Sequence, residues 1–253
     1  MLATWLFAAE MSQPDPELRR TIYSEEETLR FSVSWLGIKG GELVMQLRRD
    51  PESEDSFLLE VTAKTAGLLE LFYPVTDHFQ TVVRGEHRLP VRYTLEQNEG
   101  KRHNLKVTNY DQQAGEVRYK RNEEPEEIYR LDGPVHNEFS SFMYTRILSF
   151  AGRSEVIVPT FADRKRHEIV VTLEAQETLE SIFGRRSTIR VVPHLTFQGL
   201  YEKVGDPNIW FTDDEHRIPL KIKARIAIGS LTADLVEYHG HLGSAALEEE
   251  RPR

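Results

Sequence analysis

No cysteine occurs among the 253 residues, which excludes disulfides, thiolate metal sites, cysteine nucleophiles and a lipoprotein anchor. Also missing is any run approaching the roughly 20 apolar residues of a membrane-spanning helix. There is no Gly-x-Ser-x-Gly elbow, no phosphate-binding loop and no His-Glu-x-x-His motif, so the usual frames for an activated serine, a nucleotide and a catalytic zinc are absent. Positive charge is in deficit. Lys and Arg number 32 against 41 Asp and Glu, giving a formal net charge of −9, which disfavours nonspecific contact with nucleic acid. The acidic residues gather in runs such as Glu25-Glu26-Glu27, 123–127 and 248–250, which read as solvated loops or tails.

What the chain does have is alternation. After Trp210-Phe211-Thr212 and a polar turn, Ile218, Leu220, Ile222, Ala224, Ile226 and Ile228 fall on one side, with Lys221, Lys223 and Arg225 on the other. Period two over this length predicts a half-buried strand. Gly229-Ser230 suits a tight hairpin turn, which would pair Ile228 with Leu231, Ala224 with Leu235 and Arg225 with Asp234.

The same alternation recurs along the chain, in Leu29, Phe31, Val33 and Trp35, then Leu43, Met45 and Leu47, then Phe57, Leu59, Val61 and Ala63. Gly40-Gly41 marks a turn, 67–73 a helical turn, and further strands follow through 128–131. Phe139, Phe142, Met143, Ile147 and Phe150 break this rhythm at helical spacing, with Asn137 as N-cap and Gly152 past the end. Strands resume at 156–161, 169–173 and 188–192, with a short helix expected at 177–183. The reading is a mainly β chain: a curled antiparallel sheet, barrel-like or in two half-sheets, with one central helix. Residues 1–26 read as leader and linker, 27–240 as one domain with similar halves about a helix at 137–151, and 241–253 as a polar tail.

The halves are suggested by an echo. Glu86-His87-Arg88-Leu89-Pro90-Val91-Arg92 returns as Glu215-His216-Arg217-Ile218-Pro219-Leu220-Lys221, 129 residues later. Each copy is a polar turn feeding a strand with a proline near its start, where no ladder hydrogen bond is lost.

Candidate chemistry is sparse. His239 and His241, two apart, would share a strand face, but a metal site needs more converging ligands. Asp213 and Asp214 suit a turn as well as acid–base work. Asp77-His78 and Asp214-Glu215-His216 place histidines beside carboxylates, and Ser140-Ser141 reads as helix surface. No catalytic residue, metal site or cofactor is assigned, and the chain reads as a non-enzyme. A binding site is expected instead, because one helix cannot cover so much apolar sheet. Either two layers pack together, or the curl leaves a cavity lined by Trp35, Phe72, Phe142, Met143 and Trp210. The expected ligand is a lipid or other amphiphile. The alternatives are a protein-interaction scaffold using the basic stripe Lys221, Lys223 and Arg225, and more distantly a hydrolase.

Several landmarks carry a resemblance. Phe31-Ser32-Val33-Ser34-Trp35-Leu36-Gly37-Ile38 with Gly40-Gly41-Glu42, then Leu89-Pro90, form one set. The segment 139–146, Trp210-Phe211-Thr212-Asp213-Asp214, Arg217-Ile218-Pro219 and Gly229 form a second. In this order, over residues 27–238, they resemble the bacterial exported domain of unknown function 3108. The resemblance implies a β-rich, signal-bearing envelope protein and brings no catalytic residues. It points to the periplasm and to an envelope partner or lipid. The apolar run 2–9, ending in Ala8-Ala9, reads either as a short signal core or its remnant, without a basic leader, or as a frayed apolar tail on a cytoplasmic protein.

Overall fold

The computed structural model describes residues 11–67, 70–71, 74–162, 164–194, 205–226 and 229–246. Its first helix, α1 (Pro16–Ile22), lies in the stretch expected as linker. The Asp15 carboxylate caps it, accepting from the backbone N–H of Glu17 and Leu18. Ile22 and Tyr23 are buried, and Ser12 and Asp15 donate backbone N–H groups to Ile157 and Ile147. Residues 11–26 are therefore part of the fold.

Eight strands follow as a meander: β1 (Glu27–Trp35), β2 (Ile38–Arg49), β3 (Ser56–Thr65), β4 (Thr76–Arg84), β5 (Leu89–Glu99), β6 (Arg102–Asp111), β7 (Glu116–Arg121) and β8 (Glu127–Arg130). Helix α2 (Glu138–Arg146) interrupts. A second meander then runs β9 (Glu155–Ala162), β10 (Lys165–Ser181), β11 (Gly184–His194), β12 (Asn208–Thr212), β13 (Pro219–Arg225) and β14 (Ser230–Gly240), with β15 (Gly243–Ala246) paired on β14. Because β1 pairs antiparallel with β14, both meanders join in one sheet, ordered β8 to β1 and then β14 to β9.

A sheet this wide must curl. Its two edges approach each other, and among the described residues no strand ladder closes them. The gap is crossed at His136, whose N–H donates to Pro159 and whose carbonyl accepts from Phe161. The Tyr129 and Phe161 rings meet across the same seam at 5.5 Å.

Strand alternation sorts the connections by end. Turns β1–β2, β3–β4, β5–β6, β7–β8, β9–β10, β11–β12 and β13–β14 share one end, called the mouth below. The turns β2–β3, β4–β5, β6–β7, β10–β11 and β12–β13 share the other, the base, with both ends of the α2 connection. Helix α2 sits on the concave face. Its capping box joins Asn137 and Ser140, the Asn137 amide donates to Thr81, and Phe139 meets Phe79 at 4.7 Å. Ser140 is thus buried rather than on the helix surface.

Other departures from the sequence reading have physical reasons. The helix expected at 177–183 is the end of β10, whose pairing with β11 continues to Ser181↔Gly184. Tertiary pairing overrides local propensity there. The helix expected over 137–151 ends at Arg146, and a second helix, α1, joins it. Gly41 lies inside β2, where the backbone of β3 comes close. In the closing hairpin Ala224 pairs with Leu231 and Lys221 with Asp234. The register is shifted by four from the expected one, and an even shift keeps every side chain on its face. Ile228 lies outside the described residues. The tail expected from 241 contains β15.

The echo has a structural counterpart. Its copies are the fourth-to-fifth strand connections of the two meanders, β4–β5 and β12–β13. Arg88 and Arg217 both have left-handed backbone, at φ 48° and 46°. Pro90 pairs with Val83 and Pro219 with Phe211, each just beyond a bulge.

Candidate functional site

The concave face changes character along its length. Near the base, inward residues are sealed: Leu29, Phe31, Leu59, Leu220 and Leu235 are all buried. Two or four residues further along the same strands, on the same face, Val33, Trp35, Ala63, Ile222, Ala224 and Leu231 are only half-buried. Cross-strand register keeps these together: Val33 faces Ala233, Trp35 faces Leu231, Leu231 faces Ala224, and Leu43 faces Ala63. The result is an apolar trough opening at the mouth. Its rim bears Leu36, Ile38 and Leu71, which are 58%, 69% and 78% exposed. Exposed apolar groups clustered at one opening mark a contact surface more than scattered ones do.

Helix α2 forms the floor. Phe142 is half-buried and meets Phe211 at 5.8 Å, while Met143 is buried beneath it, its sulfur 3.6 Å from Arg146 Nη1. Of the residues expected to line a cavity, Trp35 lies on the half-buried apolar face opposite Leu231, Phe142 packs on Phe211 and Met143 is buried beside Arg146. Trp210 stands on the outer face, paired with Lys221, its indole N–H donating to Glu177 at 2.7 Å. Phe72 lies outside the described residues.

Below the floor sits a buried polar cluster that the sequence reading missed. Arg146 makes a two-point ion pair with Glu27, at 2.6 and 3.0 Å, and donates to the carbonyls of Arg217 and His216. Burial works against the Arg146 charge, but Glu27 outweighs it and the guanidinium pKa is raised. Tyr23 and Tyr238 flank the pair. Burial pushes Tyr23 up to about 12 and Tyr238 further still, so both phenols stay neutral. Against the Tyr144 ring, at 4.4 Å, His136 is fully buried and its pKa falls to about 3, through desolvation and then His87. Tyr144 donates to the Ser12 carbonyl, so the 2.7 Å contact with His87 Nδ1 uses an imidazole N–H as donor.

The remaining candidates have structural roles. Asp214 Oδ1 accepts from Thr212 Oγ1 and from the N–H groups of His216 and Arg217, fixing the β12–β13 turn. Asp213 lies 3.7 Å from Arg217. His239 and His241 separate: His239 bonds Glu237 and Ser244 on the outer face, whereas His241 turns in against the His216 ring at 5.6 Å. Asp77 and His78 also point to opposite faces, Asp77 buried and accepting from Asn98 N–H, His78 meeting Thr62. The His136–Ser140 contact of 3.2 Å belongs to a helix cap with no access for substrate. Lys221 pairs with Asp234 at 3.0 Å on the outer face. Among the described residues, no three histidines or carboxylates are placed to hold a metal, and no helix is long and apolar enough to cross a membrane.

The family model for "Protein of unknown function (DUF3108)" matches residues 30–236. The chain belongs to the DUF3108 family. No curated protein matches it. Among solved structures, this DUF3108 chain is similar to the β-barrel-like protein of domain of unknown function DUF1849 from Brucella abortus. The TM-score is 0.57 at 12% identity, covering 92% of this chain and 100% of that one. The likeness is one of fold. A hypothetical protein, CT021 from Chlamydia trachomatis, also aligns, at TM-score 0.37 and 10% identity over 89% and 92% of the two chains.

Proposed function

We propose that this DUF3108 protein is a noncatalytic envelope protein that holds an apolar or amphiphilic ligand, such as a lipid, in the trough. One observation carries the reading: inward-facing apolar side chains go from sealed to half-exposed toward the mouth while keeping their face. Leaving such surface in water forgoes roughly 25 cal/mol per Å² of apolar area, and an apolar ligand recovers it. Glu27, Arg146, Asp214 and Ser140 are engaged in ion-pair, turn and cap roles, which fits a binding role for the chain. The apolar run 2–9 supports export to the periplasm, which cell fractionation of the tagged protein checks.

Native mass spectrometry of gently purified protein tests the ligand. A lipid-sized adduct is expected, and adding dodecyl maltoside to delipidated protein should shift the tryptophan emission and raise the melting temperature by mass action. The emission change should shrink in Trp35→Phe and persist in Trp210→Phe, since Trp210 points outward. Protein without an adduct, and with no thermal response to any amphiphile, would sink the reading in favour of a protein-interaction scaffold.

A further inference from the structure

The mouth is chemically divided. Its apolar wall comes from β1–β3 and β12–β14. On β5, β6 and β7 the inward alternation that buries Tyr93, Leu95, Tyr110 and Val117 continues toward the mouth as polar groups. Gln97 and Glu99 follow on β5, Lys106, Asn104 and Arg102 on β6, and Arg121 on β7, the last opposite Lys106. All six share the concave face with Ala63 and Leu43. Asp77, paired with Ala63, marks the border.

This wall is organised. Gln97 donates to Glu99 at 2.8 Å, Asn104 donates to Gln97 at 3.3 Å, and Arg121 donates to Asn104 Oδ1 from Nε and Nη2 at 3.1 and 2.8 Å. These two Arg121 hydrogen bonds end on a neutral amide. Gln97, Glu99, Asn104 and Arg121, with Lys101 from the β5–β6 turn and Arg102 and His103 from the start of β6, line an open cavity of about 410 Å³, within the range of small-molecule sites. Lys106, opposite Arg121, follows further from the mouth on the same face. The carboxylates facing this region are Glu99, Asp77 and, from the helix floor, Glu138. Burial, then the Arg121 charge, lower the Lys106 pKa against the pull of all three. A chain carrying −9 overall thus gathers Lys101, Arg102, Lys106 and Arg121 at the opening of its apolar trough.

We infer that the β5–β7 wall is the headgroup site for an anionic amphiphile whose chain lies along the β1–β3 and β12–β14 wall. This rests on the reading of the trough as an amphiphile site and adds the sign of the headgroup. Three strand spacings separate Ala63 from Asn104, about 14 Å along the sheet, a distance that one long-chain molecule spans. A phosphate or carboxylate would accept from Arg121 and Lys106, restoring the charge that burial disfavours on Lys106.

Full-length delipidated protein, titrated below micellar concentrations at 0.15 M salt, distinguishes the outcomes with three probes: dodecyl phosphate, dodecyl maltoside and inorganic phosphate. Dodecyl phosphate is expected to bind at least about tenfold more tightly than dodecyl maltoside, and that preference should shrink at higher salt. The Lys106→Gln/Arg121→Gln variant, checked for an unchanged melting temperature, should lose the preference. Equal affinity for the two amphiphiles overturns the headgroup inference and leaves the apolar reading standing. Binding of neither overturns both. Inorganic phosphate binding as tightly as dodecyl phosphate overturns the commitment to an amphiphile, because the wall would then serve a free anion. The comparison of probes on the wild-type protein requires no variant.

Discussion

Arg146 and Glu27, 119 residues apart, meet in a two-point ion pair at 2.6 and 3.0 Å with side chains 0% and 1% exposed. The pair ties the end of helix α2 to the start of β1, and the two extra bonds from Arg146 tie both to the β12–β13 turn. It is the joint between the helix floor and the seam where the two meanders meet.

Breaking such a pair leaves one buried charge without its partner, at a cost of about 3–5 kcal/mol. Arg146→Met and Glu27→Leu should each lower the urea midpoint by that measure. The double variant should recover part of the loss, since no charge is then stranded. The unrecovered part belongs to the carbonyls of His216 and Arg217, which lose their donor. Single costs that simply add in the double variant would show that the pair is not coupled.

Protonation of His136 gives a second test. Its pKa is about 3 in the folded protein against about 6.5 unfolded, so between these values the unfolded state binds the extra proton. Stability therefore rises with pH through this window and falls on acidification, at up to about 1.4 kcal/mol per pH unit. From pH 7 to pH 5 the wild type should lose roughly 2 kcal/mol more than His136→Gln. Equal pH slopes in the two proteins would mean that His136 titrates normally.

How far was this legible in the sequence? Facing was, because a period of two survives any even error in register: Ile222 and Lys221 fall on the expected sides although the hairpin pairs four residues away from expectation. Glu27 was not. In a run of three glutamates it looks solvated, and nothing local announces an arginine 119 residues downstream. Residues 177–183 have helical spacing, yet the β11 edge captures 177–181 as strand and Ile182 and Phe183 form the turn. The cationic wall stayed hidden for a related reason. On β6 Leu105 and Val107 look like the buried face, but the inward series is Arg102, Asn104, Lys106, Thr108 and Tyr110. The signal that could have revealed it is the phase set by Tyr110, carried back along the strand.

Gly41 tests how close the strands run. A Cβ there would sit 2.5 Å from the Lys64 carbonyl oxygen, a backbone atom that cannot swing away. Gly41→Ala should lower stability by about 1–3 kcal/mol, as overpacking does. Gly100→Ala meets nothing within 4 Å, and its smaller cost should come from the left-handed backbone at φ 57° alone. Equal losses from the two in thermal melts would show that β2 and β3 can part at little cost.

The last prediction separates depth from facing in strand β13. Leu220 and Ile222 share the concave face, but Leu220 is 4% exposed whereas Ile222 is half-buried where the trough begins to open. Leu220→Asp puts a carboxylate in the sealed core and should cost several kcal/mol. Ile222→Asp leaves its carboxylate within reach of water, so the thermal loss should be smaller. It nonetheless places a negative charge on the apolar wall, and should therefore weaken the response to dodecyl phosphate more than it weakens folding. Lys223→Asp on the outer face should change neither by much, because that side chain is exposed. If Ile222→Asp were as damaging to folding as Leu220→Asp, the wall at that level would be closed and dry. If it left amphiphile binding intact, the chain of the ligand would have to lie elsewhere.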